Sequence, residues 1–499
     1  MRAPAVAVPR ASLVAVPRAA LAAALLLSSG CFPYTSGFRG LPETSPAAHT
    51  PWTPPPKAAP PAPAQSAAAP PSDLAARLAK LRLEDVVDIA LRNNSATRAA
   101  WARARAAAAA YGVKRNAYLP SADVNASVTR AQTVDTRVRE TSLRTVYVPA
   151  ARLTYLLFDF GGRSGEAAGA REDLFAADWT HNATIQAVVL EAEQGYFHYV
   201  AAKSLLRAQQ TSLEEAETNL SAAEERHRVG LATIADVLQA RTARSQARLA
   251  FEQTQGDLMT TRGALATAMG LPADVPYDIE APSDSLPVMG LADSVSTLID
   301  QALRARPDLA ASWASARAAR ARVGVERAKG LPEINLAGSA TRTYIDTGSR
   351  GSDGYTGTVS LDIPLVPFLT HNDDVRQVKA EAEAAEAEAR TMSQQVVFQV
   401  FSSYHSLGTA TQRVRTTRDL LESARAAEEV ALGRYRAGAG SALDLLSAQS
   451  ALADARAEEI DARFGWYSAL AQLAHDVGVL GTRGETPFRL EPDTTGMGR

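Results

Sequence analysis

With one cysteine in 499 residues, Cys31, this chain can form neither an intrachain disulfide nor a multi-cysteine metal site. Aromatic residues are only 6%, while alanine is abundant. That balance favours long, closely packed helices over a bulky globular interior. A formal net charge of -2 gives no electrostatic reason to expect nucleic acid. The seven histidines (His49, His181, His198, His227, His371, His405 and His475) include no His-x-x-x-His pair, so no metal is expected. Neither a Gly-x-Gly-x-x-Gly nor a Walker pattern occurs, and no nucleophile stands beside a base. The sequence therefore argues against an enzyme and against a bound cofactor.

Arg2, Arg10 and Arg18 precede the apolar run Ala19 to Leu27, and Ser28, Ser29 and Gly30 lead to Cys31. Residues 1–30 read as a secretory signal peptide. The cysteine directly after it resembles the acylated first residue of a bacterial lipoprotein, although Ser28 stands where that signal usually has leucine. An incidental cysteine after a plain signal peptide is the alternative. Phe32, rather than aspartate, suits sorting to the outer membrane. Residues 31–80 contain Pro54-Pro55-Pro56, Pro60-Pro61 and Pro70-Pro71 and read as an extended tether.

Beyond the tether the chain is written twice. Val229-Gly230-Leu231 with Asp236 returns 208 residues later as Ala437-Gly438-Ala439 with Asp444, and Trp101 and Leu119-Pro120 return 212 residues later as Trp313 and Leu331-Pro332. The expected repeats are 81–285 and 286–480, with 481–499 as a flexible tail. Tyr199, Leu206, Leu213 and Leu220 recur every seven residues, a coiled-coil seam with Ala202, Ala216 and Ala223 between. The seam stops at Gly230, which supplies the positive φ of a helix end, and Thr233 caps the next helix. Each copy is thus the tip of a helical hairpin. After the second tip, Leu443, Leu446, Ser450, Ala453, Ala457, Ile460, Phe464, Tyr467, Ala471 and Ala474 hold the same 3-4 spacing.

Each Leu-Pro is followed by alternation of period two: Val124, Ala126, Val128; Leu153, Tyr155, Leu157; Ile334, Leu336, Gly338; and Tyr355, Gly357, Val359, Leu361, Ile363. These predict four strands of about 10 residues, the length a tilted strand needs to cross a bilayer. The mature chain has no apolar run of 18 residues and hence no transmembrane helix. Strands in lipid must belong to a closed barrel, which needs about 8 of them, so several chains would have to share one. The helical patterns from 165 to 226 and from 373 to 434 run roughly 60 residues, or about 90 Å. The stretches 85–117 and 234–269, stacked end to end, match such a helix in length.

Leu83-Glu84-Asp85 with Ala90-Leu91, Leu119-Pro120, Phe158-Asp159-Phe160-Gly161-Gly162-Arg163, and Val229-Gly230-Leu231 through Asp236-Val237 occur in an order that resembles the TolC-like outer-membrane efflux protein family. Cys31 and the tether resemble its lipoprotein branch, which serves multidrug or metal exporters. The resemblance implies a mainly α fold with a small β part. Antiparallel coiled coils would form a periplasmic tunnel, and four strands per chain would join a 12-stranded barrel in a homotrimer. It implies a passive exit duct for tripartite efflux or type I secretion, set in outer-membrane lipid and working with a periplasmic adaptor protein and an inner-membrane transporter. Asp444, Tyr435 and Asp236 then fall at the periplasmic gate. Val229, Gly230, Leu231, Ala437, Gly438 and Ala439 fall in the adaptor-docking grooves. Each aspartate has a second reading, as a cap on the first turn after its tip. Two departures stand out: Gly440 occupies the place of a latch arginine, with Arg434 or Arg436 as possible substitutes, and Ser447 that of a second ring aspartate. The competing reading is a lipid-tethered periplasmic coiled-coil scaffold whose alternating stretches form a soluble sheet.

Overall fold

The computed structural model describes residues 80–135, 140–280, 289–291, 294–346, 351–365, 371–480 and 490–492. Cys31, the tether up to residue 79 and most of the tail lie outside them. Helices α1 (Leu83–Asn93) and α2 (Ser95–Asn116) are followed by β1 (Ser121–Asp135), β2 (Glu140–Phe158), α3 (Gly162–Arg228) and α4 (Ile234–Ala268). After the short β3 (Met289–Leu291) the order repeats as α5 (Val295–Ala305), α6 (Pro307–Lys329), β4 (Glu333–Ile345), β5 (Ser352–Asp362), α7 (His371–Arg436) and α8 (Ala442–Val477). Finally β6 (Leu490–Pro492) pairs antiparallel with β3. Reading 481–499 as a flexible tail misses β6, because three residues carry no periodicity.

The two long helices, of 67 and 66 residues, are each about 100 Å long. Helices α2 and α4 both pack along α3, and the 11, 22 and 35 residues of α1, α2 and α4 together match its length. The expected continuous helix from 85 to 117 breaks at Asn94, whose backbone turns extended (ψ 127°) and whose side chain accepts from the Ala96 amide at 2.8 Å to cap α2. The second repeat breaks at Arg306 because Pro307 comes next, and a residue before proline is driven out of the helical region. Beneath the first break lies Gly270, φ +69°, where a Cβ would sit 2.8 Å from the Asn93 carbonyl carbon. Only glycine satisfies both demands.

Two cores lie at this level, one built mainly from each repeat, with Phe464 of α8 entering the first. Val86, Ile89 and Ala90 of α1 meet Val188, Tyr196 and Val200 of α3 and Leu265 of α4; Leu298 of α5 meets Val396 and Val400 of α7 with Trp466 and Leu473 of α8. Toward the tips the seams shrink to Ala223, Val237 and Ala240 in one hairpin and Ala424, Leu452 and Ala455 in the other. These clusters hold far fewer side chains than the cores, so less buried apolar area holds the hairpins toward their ends. Leu220 and Ala223 lie in the seam the heptads predict. In the second hairpin the seam uses Leu445, Leu452 and Ala455 instead, while Leu443, Leu446, Ser450 and Ala453 border a groove of about 600 Å³ shared with α3 and α4. Two apolar stripes coexist on α8, and the more regular one faces the other hairpin.

The four long strands form one antiparallel sheet in the order β1-β2-β4-β5. With 15, 19, 13 and 11 residues they exceed the expected 10, because period-two counting stops where polar residues begin although the ladder continues.

Candidate functional site

Cross-strand register brings the four alternating patterns onto one face. Val124, Ala151, Ala340 and Tyr355 form one row, and Tyr155, Leu336 and Val359 another. Tyr147 lies opposite Val128 and Tyr344. The opposite face carries rows such as Asp123, Arg152, Ser339 and Thr356. Exposure of the apolar face is high: Val124 84%, Tyr355 93%, Val359 67%. From Tyr147 to Tyr155 the strand advances about 27 Å, close to the height of the lipid-facing band of an outer-membrane barrel. Strands β1 and β5 are the sheet's edges, each paired on one side only. Among the described residues no helix is long and apolar enough to cross a membrane.

The sheet is locked to the helices at Asp159. Its carboxylate accepts from the Arg163 amide at 2.5 Å and the Gly161 amide at 3.3 Å, within a turn where Phe160 (φ 49°) and Gly161 (φ 95°) are both left-handed. The Arg163 guanidinium lies 5.1 Å over the Tyr118 ring and donates to the Ala117 and Leu157 carbonyls, so strand end, turn and helix start share one cation.

At the far end the two tips share one construction. The Gly230 amide donates to the His227 carbonyl at 2.9 Å and the Leu231 amide to the Arg226 carbonyl at 2.7 Å; Gly438 and Ala439 repeat this with Tyr435 at 3.1 Å and Arg434 at 2.8 Å. Both are Schellman ends, with the glycines at φ +81° and +72°. The next helix then starts with a capping box. The Thr233 amide donates to Asp236 Oδ2 at 2.8 Å and the Asp236 amide to Thr233 Oγ1 at 3.2 Å, and Ser441 and Asp444 do the same at 3.3 and 3.1 Å. The hydrogen bonds from Thr233 and Ser441 hold both carboxyls below the usual aspartate value, so both are charged at neutral pH. The structure therefore gives Asp236 and Asp444 a capping role, and Asp444 is also exposed.

Tyr435 has a partner that no motif announced. The Arg226 guanidinium lies 4.6 Å over its ring and points Nη1 at the Tyr435 carbonyl at 3.5 Å, joining the end of α3 to the end of α7. Arg226 also lies near enough to Asp236 to help keep it ionised. No sequence signal pairs residues from different repeats. Arg434, one of the two substitutes offered with Arg436, points Nη2 at the Ala439 carbonyl 3.5 Å away, within its own tip. At Gly440 a Cβ would lie 3.1 Å from Arg434 Cβ and 3.3 Å from its carbonyl carbon, a tight fit for any side chain. Ser447 lines the inter-hairpin groove. Val229, Gly230, Leu231, Ala437, Gly438 and Ala439 are all exposed around the two turns.

The hairpins meet through polar pairs, Asn219 with Gln449 at 2.7 Å and Glu215 with Arg456 at 3.3 Å between the tips and the core, and Gln194 with Gln472 at 3.1 Å at the level of the core. Polar pairs of this kind are individually weak and exchange readily with water.

The family model described as outer membrane efflux protein matches residues 86–271 and 298–479. Protein CyaE of Bordetella pertussis is 31% identical over 410 residues, covering 78% of this chain and 82% of its own length. Outer membrane efflux protein BepC of Brucella suis is 26% identical over 392 residues, covering 78% and 81%. Among solved structures, the outer-membrane channel OprN superposes with a TM-score of 0.72 at 22% identity, covering 84% of this chain and 98% of that one. The CmeC outer membrane channel of Campylobacter jejuni gives 0.72 at 20% identity, covering 81% and 87%.

Proposed function

The chain belongs to the outer membrane efflux protein family, and from that premise we propose that it is the passive exit duct of a tripartite efflux or type I secretion system. The observation that carries this reading is a sheet with one exposed apolar face and two unpaired edges, set on helices about 100 Å long. A lone four-stranded sheet in hydrocarbon would leave two rows of backbone groups unpaired. Three copies joined β5 to β1 make 12 strands, close the edges, turn the apolar rows to lipid and the polar rows to a lumen. The helices continue that lumen through the periplasm. Cys31, as the acylated first residue, adds a second hold on the outer membrane.

The duct is closed at its tips and opens there. The short seams, the polar contacts between hairpins and the Arg226–Tyr435 contact form the weakest part of the helical body, so the hairpins part at their ends while the cores stay intact. A periplasmic adaptor docks at Val229-Gly230-Leu231 and Ala437-Gly438-Ala439 and favours the parted state, and an inner-membrane transporter supplies the energy. Three copies of Asp444 about one axis favour cations in the mouth, as charged rings do in pores.

The test is single-channel recording of the purified Cys31→Ala protein in planar bilayers, with its mass measured in detergent. Discrete cation-selective openings from a trimer, less selective in Asp444→Ala, are the expected result. A monomer that stays in solution without detergent and conducts nothing would overturn the duct and leave a periplasmic scaffold.

A further inference from the structure

The two repeats close the junction between barrel and helices with different chemistry. In the first, Lys114 near the end of α2 pairs with Glu166 in the first turns of α3 at 3.1 Å, and Arg163 lies over Tyr118. The shift of 212 along α2 and α6 carries Lys114 to Glu326 and Tyr118 to Gly330. The shift of 208 along α3 and α7 carries Arg163 to His371 and Glu166 to Asp374. The second repeat has thus replaced a lysine by a glutamate, an arginine by a histidine and the tyrosine by a glycine. Where the first has two cations and one carboxylate, the second has two carboxylates and an imidazole.

These three side chains converge. One ligand atom from each of Glu326, His371 and Asp374 lies within 4.8 Å of the other two, with Glu326 and His371 half-buried. Gly330 makes room for the ring, since a Cβ there would overlap it. The neighbouring cation is Lys329, 2.7 Å from Glu326 Oε2; it neutralises one carboxylate and leaves Asp374 and the imidazole. Ligands around a tetrahedral ion stand about 3.4 Å apart, so the three need to close by at most about 1.4 Å, within reach of side-chain rotation.

We propose that Glu326, His371 and Asp374 form a divalent-cation site that ties the end of α6 to the start of α7. One imidazole with two carboxylates suits a borderline ion such as Zn²⁺, Cu²⁺ or Ni²⁺ better than Ca²⁺ or Mg²⁺, which prefer oxygen alone. The ion takes the place that Lys114 fills in the first repeat, with water completing its coordination. The absence of a His-x-x-x-His pair says nothing about such a site, because its ligands come from two helices 45 residues apart in the chain, Glu326 to His371. The site is independent of whether the chain conducts.

The experiment is calorimetric titration of the metal-stripped, full-length protein in detergent with Zn²⁺, alongside His371→Ala and the double variant Glu326→Lys/His371→Arg. The double variant installs the first repeat's residues and so is expected to fold with unchanged helicity. Wild type should bind one ion per chain with micromolar affinity. His371→Ala should weaken binding at least tenfold, and the double variant should abolish it. X-ray absorption of the bound ion should show one nitrogen ligand from imidazole. Unaltered binding in folded variants, or no saturable binding below millimolar Zn²⁺, would overturn the site.

Discussion

Replacing Arg226 by alanine tests the tip directly. Its guanidinium lies 4.6 Å over the Tyr435 ring and is half-exposed, which sets the contact at about 0.5–1 kcal/mol. The 3.5 Å approach to the Tyr435 carbonyl adds little. In a trimer whose three tips part together the loss is about 1.5–3 kcal/mol, which moves the closed-to-open equilibrium roughly 10- to 150-fold. The ratio of open to closed time of Arg226→Ala channels in planar bilayers should rise by that factor, with single-channel conductance of the open state unchanged. Tyr435→Phe keeps the ring and should stay near wild type, whereas Tyr435→Ala should match Arg226→Ala. An open probability for Arg226→Ala equal to wild type would refute the contact as a closing element. A Tyr435→Phe effect as large as that of Arg226→Ala would show that the hydroxyl, not the ring face, carries it.

Glu193, 6% exposed on α3, has its carboxyl pushed by burial from 4.5 up to about 7. Because the folded-state value is raised, the folded protein holds a proton that the unfolded chain gives up. The contribution of Glu193 to stability is therefore greatest below about pH 4.5 and is lost as pH rises through about 7, by roughly 3 kcal/mol. Glu193→Gln should flatten that slope between pH 5 and 8 in denaturant titrations and raise stability at pH 8; a variant that keeps the wild-type slope would disprove this origin. At the tip, Gly438→Ala meets no atom within 4 Å and should cost only the strain of its +72° φ, about 1 kcal/mol. Gly270→Ala adds a clash with the Asn93 backbone and should cost about 3 kcal/mol, and equal losses in thermal melts would contradict the packing. On the sheet, Val359→Arg places a charge on the apolar face and should cost about 2–4 kcal/mol, lowering trimer yield. Thr358→Arg, on the other face, should leave yield near wild type, and the reverse order would mean the faces are assigned the wrong way round.

Features that rest on period or repetition were legible along the chain. Alternation at Val124, Leu153, Leu336 and Val359 fixed both the strands and the face they share, because side chains on a strand point alternately to either side. Gly230 and Gly438 fixed the tips, since few other residues adopt a positive φ, and the internal repeat made each copy a check on the other. Packing settled whatever depends on two distant segments meeting. The regular Leu443–Ala453 stripe faces the other hairpin rather than its own partner, because a helix with two apolar stripes does not label which is which. The tip geometry adds the bonds from Asp236 and Asp444 to Thr233 and Ser441, the capping reading that their three-residue spacing already offered. Arg226 met Tyr435, and Glu326 came to His371 and Asp374. Periodicity records the solvent and the local backbone along one element; which charge faces which ring or carboxylate is set by how elements pack, and no residue pattern along the chain carries that.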